Sequence, residues 1–214
     1  MLLFEHVFEH RGVSVRPLEI ADPQQVLDQL RGRIAALQGG PTRLTVPVLP
    51  VFEGLVTLRT GGVYGVDSAT LGMALAAGAS QAGEWVGFAG WDDFGAEAAH
   101  QHGIVLSRTV LVPAPGEHWL EVAAALADVL KVVVLRPPGL VDAKSASLLE
   151  ARLRARSAVL VVQGEWPRCE ARIVAEHVSW EGLAAGRGRL RGRRVSLVSR
   201  RPGRAPVRVE AVLP

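Results

Sequence analysis

Hydrophobic and polar positions follow one another along this chain in blocks whose period changes from segment to segment. Asp22-Pro23 followed by Val26, Leu27, Leu30, Ile34, Ala35 and Leu37 fits an amphipathic helix with an N-cap and a proline at its first position, and Gly39-Gly40-Pro41 stops it. Residues 1 to 20 carry no clear period. An extended segment from Leu44 to Phe52 comes next, weakened as a central strand by Pro47 and Pro50. Leu55 to Arg59 and Gly62 to Gly65 are short strand candidates, and Asp67 to Ala82, rich in Ala, Leu, Met and Gly, reads as a buried helix.

From Trp85 onward strand and helix patterns alternate regularly. Strands are predicted at Trp85–Ala89, Thr109–Val112, Val132–Leu135 and Val159–Val162, and helices at Asp93–Gln101, Trp119–Leu130 and Ala143–Arg156. The strands are almost continuous apolar runs, as expected when helices cover both faces of a parallel sheet. After Glu165 the period shortens to two: Ala171–Val178, Arg193–Arg200 and Pro206–Val212 alternate apolar and polar residues. They are joined by glycine-rich or Pro-Gly turns, Gly186 to Gly192 and Pro202-Gly203, and read as antiparallel strands extending the sheet. The fold class is therefore α/β, with residues 1–53 as an N-terminal helix and extended segment and residues 54–214 as the core.

Composition narrows the setting. About half of the 214 residues are apolar, enough for one sizeable core. The single Cys169 excludes an internal disulfide and any cysteine cluster for zinc, which suits a reducing compartment and a buried thiol. The N-terminal MLLFEHVFEH lacks the basic segment and long apolar run of a secretory signal, and no stretch approaches the roughly 18 uninterrupted apolar residues of a membrane helix. The expected compartment is the cytoplasm. Residues 1–143 hold 9 basic and 15 acidic side chains, residues 144–214 hold 15 and 6, so a net −6 faces a net +9. A basic end attracts nucleic acid or an acidic partner, but equally forms a solvated face.

The chemistry-bearing segment is a strand ending at Gly65, a short connection and a helix, the setting of a phosphate-binding loop, with the residues Gly65-Val66-Asp67-Ser68-Ala69-Thr70-Leu71-Gly72. Together with Val86-Gly87-Phe88-Ala89-Gly90-Trp91-Asp92-Asp93-Phe94, the stretch Gly103-Ile104-Val105-Leu106 and Arg108-Thr109-Val110-Leu111-Val112, it resembles the RecA core. The tail, Ala175 to Val178, Arg194 to Arg200 and Val209 to Val212, resembles the strand pair that closes the RecA sheet. Gly103 to Val112, Leu160 to Trp166, Val178-Ser179-Trp180-Glu181-Gly182-Leu183 and Gly188 to Val195 are most similar to the ImuA and ImuA-prime proteins, RecA-like accessory factors of SOS translesion mutagenesis. The resemblance covers residues 54 to 213. It implies a RecA-like core with a central, mostly parallel sheet and a DNA-repair role beside ImuB, an inactive Y-family polymerase homologue. RecA itself and an error-prone replicative-type polymerase are further implied partners.

A working phosphate loop needs Gly-x-x-x-x-Gly-Lys-Ser/Thr, with glycine for the backbone turn, lysine for the terminal phosphates and a hydroxyl for Mg²⁺. With Gly65 first, Thr70, Leu71 and Gly72 take the last three places, and neither the cation nor the hydroxyl remains. Arg136 follows Val132-Val133-Val134-Leu135, where an Asp would hold Mg²⁺. Trp91 or Asp92 falls where an acid would orient water, with Asp92 read as a helix cap. Nucleotide cofactor and catalysis are thus both expected to be absent. The connections that resemble the DNA-gripping loops of RecA are also short, with seven residues between Gln163 and Ala171. Gln163 is expected to hydrogen-bond within the sheet.

Other constellations carry less. His100 and His102, two apart on a helix, face different ways, and Ser68, Ser80 and Ser107 lack a nucleophile-elbow frame. Trp166 and Trp180, two of five tryptophans, are candidate partner anchors. Arg187, Arg189, Arg191, Arg193, Arg194, Arg200, Arg201 and Arg204 gather on the expected hairpin, where alternation could align the first four on one edge. Partner binding, weak contact with a DNA backbone and a charged edge that resists aggregation are the three readings of that cluster. The functional expectation is a non-catalytic adaptor; a DNA-binding accessory protein and a SulA-like cell-division inhibitor are the alternatives.

Overall fold

The computed structural model describes residues 42–184 and 187–213, without the side chains of residues 181–192. The helix expected over residues 23 to 37 lies outside the described residues. Residues 41–214 form one compact unit. In it Thr45–Val46 (β1) and Leu58–Arg59 (β2) pair antiparallel as a small sheet, and Pro50–Phe52 makes one 3-10 turn between them. The longer extended run expected from Leu44 shrinks to two paired residues because Pro47 and Pro50 have no N–H to give a ladder. Val46 and Phe52 are buried instead, in the core under the main sheet.

That sheet has eight strands: β3 (Val63–Val66), β4 (Val86–Ala89), β5 (Thr109–Val112), β6 (Val132–Leu135), β7 (Val159–Gln163), β8 (Ala171–Ala184), β9 (Arg187–Arg200) and β10 (Val207–Leu213). Their spatial order is β10-β9-β8-β3-β7-β6-β4-β5. Every pair from β5 to β8 is parallel, and the β8–β9 and β9–β10 pairs are antiparallel. Among the described residues four α-helices accompany it: α1 (Ala69–Gln81), α2 (Ala96–Gln101), α3 (Trp119–Val129) and α4 (Ala143–Arg156). The chain is thus α/β, a mixed sheet flanked by helices.

Two cores, one on each face, explain the unbroken apolar strands. Phe88, Val132, Val134, Val159 and Val161 pack under α1, whereas Val133, Leu135, Leu160 and Val162 pack with Leu126 of α3 and Leu149 and Leu153 of α4. Each such side chain contributes about 1.5–3 kcal/mol when fully buried. Local chemistry sets the helix limits. Asp142 caps α4, its Oδ1 accepting the N–H groups of Lys144 and Ser145 at 2.9 Å, and Ser157 ends it in the left-handed region at φ 53°.

The tail departs from expectation. Only Ala171–Ile173 of β8 pair with β3, and the rest of the strand pairs with β9, with register shifts between Glu176 and Ser179 and between Glu181 and Leu183. The expected glycine-rich turn over Gly186 to Gly192 is instead almost wholly strand: Gly188 stands opposite Leu183 and Gly192 opposite Glu181. These glycines flank an irregularity in the ladder rather than end it, a recognised place for glycine in a strand. Among the described residues no helix is long and apolar enough to cross a membrane.

Candidate functional site

Parallel strands direct their carboxyl ends toward one edge of the sheet, the usual place for a ligand site in an α/β fold. Here that edge is built from the ends of β3, β4, β6 and β7. The phosphate-loop stretch is largely absorbed by its neighbours. Gly65 lies inside β3, paired with Val162 and Arg172, and Thr70, Leu71 and Gly72 lie in the first turns of α1. Only Asp67 and Ser68 connect strand to helix. Ser68 caps α1 by accepting the Leu71 N–H at 3.4 Å, and the Asp67 carboxylate accepts the N–H of Ala175 in β8 at 3.0 Å. Both polar side chains of the connection are therefore spent on the fold itself.

The space above α1 is filled by Trp91, whose side chain is buried. A Cβ on Gly72 would stand 3.0 Å from the Trp91 Cη2, so the ring rests directly on the helix backbone. Phe88 meets the indole edge-on at 5.4 Å between centroids, and Phe94 packs on Phe88 at 4.9 Å. Aromatic pairs in this geometry add about 0.5–1.5 kcal/mol beyond their buried area. Gly90, at φ 77°, turns the chain between β4 and Trp91, and any Cβ there would overlap the Arg136 carbonyl oxygen.

Arg136 closes the arrangement from β6. Its guanidinium lies 4.8 Å from the Trp91 ring centroid, donates from Nε to Gln163 Oε1 at 3.2 Å and from Nη1 to Asp93 Oδ1 at 2.7 Å, and has Asp92 at 3.7 Å. The hydrogen bond and charge of Arg136 hold the Asp93 carboxyl below its usual range. Asp92 does not cap the next helix. That helix starts only at Ala96 with Gly95 at its cap, and both aspartates lie within ion-pair distance of the arginine instead. Asp93, read in the sequence as helix, is thus a site residue that sequence reasoning missed. Gln163 does hydrogen-bond within the sheet, across β7 and β6. Beside this group a cleft of about 360 Å³ opens between Pro113–Gly116 and Arg136–Pro138.

Of the C-terminal arginine candidates, β9 carries Arg187, Arg189, Arg191, Arg193, Arg194 and Arg200 along 14 residues, roughly 40 Å of extended chain, and Arg201 and Arg204 follow it. Midway along it, Arg193 stands opposite Trp180 with its guanidinium 5.9 Å from the exposed indole, and Arg194 pairs in register with Ser179 and Val212. The side chains of Arg187, Arg189 and Arg191 lie outside the described residues. At the far end Glu176 accepts Arg200 at 2.7 Å and Arg208 at 3.3 Å, which lowers its own pKa, with the Arg208 hydrogen bond the largest cause. Arg201 donates to the Leu55 carbonyl at 2.7 Å, and Arg204 is exposed. Trp166 is buried in the second core and gives its indole N–H to Glu150 at 3.2 Å, so it packs the fold and offers no ring to a partner. Trp180 remains exposed beside exposed Val178.

His100, in the last turn of α2, is exposed, and His102, the residue that caps the end of that helix, is buried. The Cys169 thiol is half-buried, and its pKa is raised by that burial. Comparison with known proteins places the chain. Residues 50–168, more than half of it, match the family described as the MT3502 N-terminal domain. The uncharacterized protein Rv3395c of Mycobacterium tuberculosis is 34% identical over 169 residues, which cover 76% of this chain and 81% of that protein. The chain therefore belongs to the MT3502 N-terminal domain family.

Proposed function

We propose that this chain is a RecA-like core without nucleotide chemistry, serving as a protein scaffold in error-prone translesion DNA synthesis. The observation that carries the reading is the filled carboxyl edge. Trp91 and Arg136 occupy the space beside a strand-to-helix connection reduced to Asp67 and Ser68, which leaves no loop to wrap a phosphate. The sheet order supports the RecA comparison, since the loop strand β3 lies between β7 and β8 and the sheet closes on the antiparallel β9 and β10. The partners in this reading are an ImuB-like polymerase homologue, an error-prone replicative-type polymerase and RecA, and the compartment is the cytoplasm. Trp180 with Val178 and Arg193 is the described surface best suited to a protein contact, combining an exposed aromatic with an arginine.

Co-purification of the full-length chain with its ImuB-like partner tests the proposal. Association at micromolar concentration, weakened by Trp180→Ala, is expected, with no Mg²⁺-dependent ATP turnover. Failure of the full-length proteins to associate, or turnover that survives repeated purification, overturns it.

A further inference from the structure

Two clefts open at the opposite, amino-terminal edge of the sheet, of about 370 and 280 Å³, and Glu170 lines both. Arg43, Arg154 and Arg168 wall the first; Arg59, Arg201 and Arg204 wall the second. Against these six guanidiniums stand two carboxylates, Glu150 and Glu170. Tertiary structure assembles the set. Arg43 precedes β1, Arg59 ends β2, Arg154 lies in the last turn of α4, Arg168 precedes β8, and Arg201 and Arg204 belong to the turn from β9 to β10.

Three of the six are held by the protein. Arg43 pairs with Glu170 and donates to the Thr60 carbonyl at 2.9 Å, Arg154 approaches Glu150 at 3.9 Å, and Arg201 donates to Leu55. Glu170 is further fixed by the buried Tyr64 hydroxyl at 3.1 Å, whose own pKa burial pushes above the usual range. Gly61, at φ 76°, lets Arg154 lie against the main chain, where a Cβ would come within 2.8 Å of its Cγ. Arg59, Arg168 and Arg204 have no side-chain hydrogen bond or ion pair among the described residues, and Arg168 and Arg204 are exposed. The clefts thus have a fixed frame and three unspent cations.

The lining indicates what those cations take. Among the described residues none of the exposed large hydrophobic side chains lines either cleft, and these residues supply neither the apolar centre nor the aromatic anchors of a protein interface. A cationic face suits nucleic acid. Tyr64, the aromatic residue in the lining, is buried, so no ring is available to stack an unpaired base. We propose that this edge binds the phosphate backbone of a nucleic-acid duplex without reading its sequence. Arg59, Arg168 and Arg204 take phosphates, with the planar guanidinium fork matched to phosphate oxygens, and the other three shape the clefts. This goes beyond the scaffold reading and does not rest on it.

Fluorescence anisotropy of a short labelled DNA duplex of arbitrary sequence, between about 50 and 200 mM salt, tests the site. The full chain should bind with an affinity that falls steeply with salt. The variant Arg59→Ala/Arg168→Ala/Arg204→Ala should keep the wild-type melting temperature, bind at least roughly tenfold more weakly at the low-salt end, and flatten the log–log salt slope by about 0.9 per lost contact, or about 2.7 in all. Lysine at the same three positions should retain most of the salt slope. No binding by the wild type at low salt, or wild-type affinity in the triple alanine variant, overturns the proposal. So does polyglutamate binding as tightly as duplex and lost in the same variant, because the surface then serves acidic protein segments.

Discussion

Replacing Trp91 by alanine probes the filled carboxyl edge most directly. The side chain is 1% exposed, meets Phe88 and Phe94, carries Arg136 over its face and rests on Gly72. Truncation of a buried tryptophan to alanine costs about 3–5 kcal/mol through lost transfer energy and residual cavity. Loss of the cation–π contact adds about 0.5–2 kcal/mol, since Arg136 is partly desolvated. One contribution runs the other way: the indole N–H has no acceptor among the described residues, and removing a buried unpaired donor returns about 1–3 kcal/mol. The net expectation is a loss of about 3–4 kcal/mol, about 6–16 °C in Tm for a domain of this size. Urea unfolding followed by circular dichroism measures it without relying on tryptophan emission. Trp91→Phe, which keeps a ring and removes the unpaired donor, should cost about 1 kcal/mol or less. A loss under about 1 kcal/mol for Trp91→Ala would refute the argument, because the ring would then not be filling the space assigned to it.

Two further perturbations test the surroundings. Gly90→Ala combines a left-handed residue with overlap onto the Arg136 carbonyl, and should lose about 2–5 kcal/mol in the same urea assay; wild-type stability would mean the turn is not built as described. Burial, and secondarily Arg193, depress the pKa of His102 below its ordinary 6.5, so the unfolded chain binds its proton more readily. The resulting stability is complete above about pH 6.5 and falls as pH drops toward the folded value. Melting curves from pH 7.5 to 5.5 should therefore decline less steeply for His102→Asn than for the wild type, and parallel slopes would contradict the assignment.

The alternating β/α order was legible because burial on both faces forces near-continuous apolar strands, and Val132–Leu135 and Val159–Val162 are short and rich in β-branched valine. The ends were harder. Asp93 looked helical because Ala96 to Gln101 follow it, yet its carboxylate answers to Arg136, 43 residues away in sequence. Gly188 and Gly192 looked like turn residues, although a strand can accept glycine beside a register shift. At the site, Arg136 and Gln163 could each be singled out by position, while their shared hydrogen bond required the β6–β7 pairing. The amino-edge clefts were beyond reach, because nothing local to Arg59 or Arg204 indicates that both line a cleft with Glu170. Of the eight C-terminal arginines, six lie on β9 and two, Arg201 and Arg204, in the turn that follows it, a division that the run of arginines along the chain does not display.

The two-residue connection between Val66 and Ala69 changes what engineering this fold would require. Installing lysine and a hydroxyl at Leu71 and Gly72 would set them on a helix already begun, with no main chain free to curl around an anion. A designer wishing to give this scaffold a phosphate grip would have to lengthen the backbone before the helix and vacate the indole's seat above it. The obstacle is one of chain length and occupied volume, and altering the side chains alone leaves both in place.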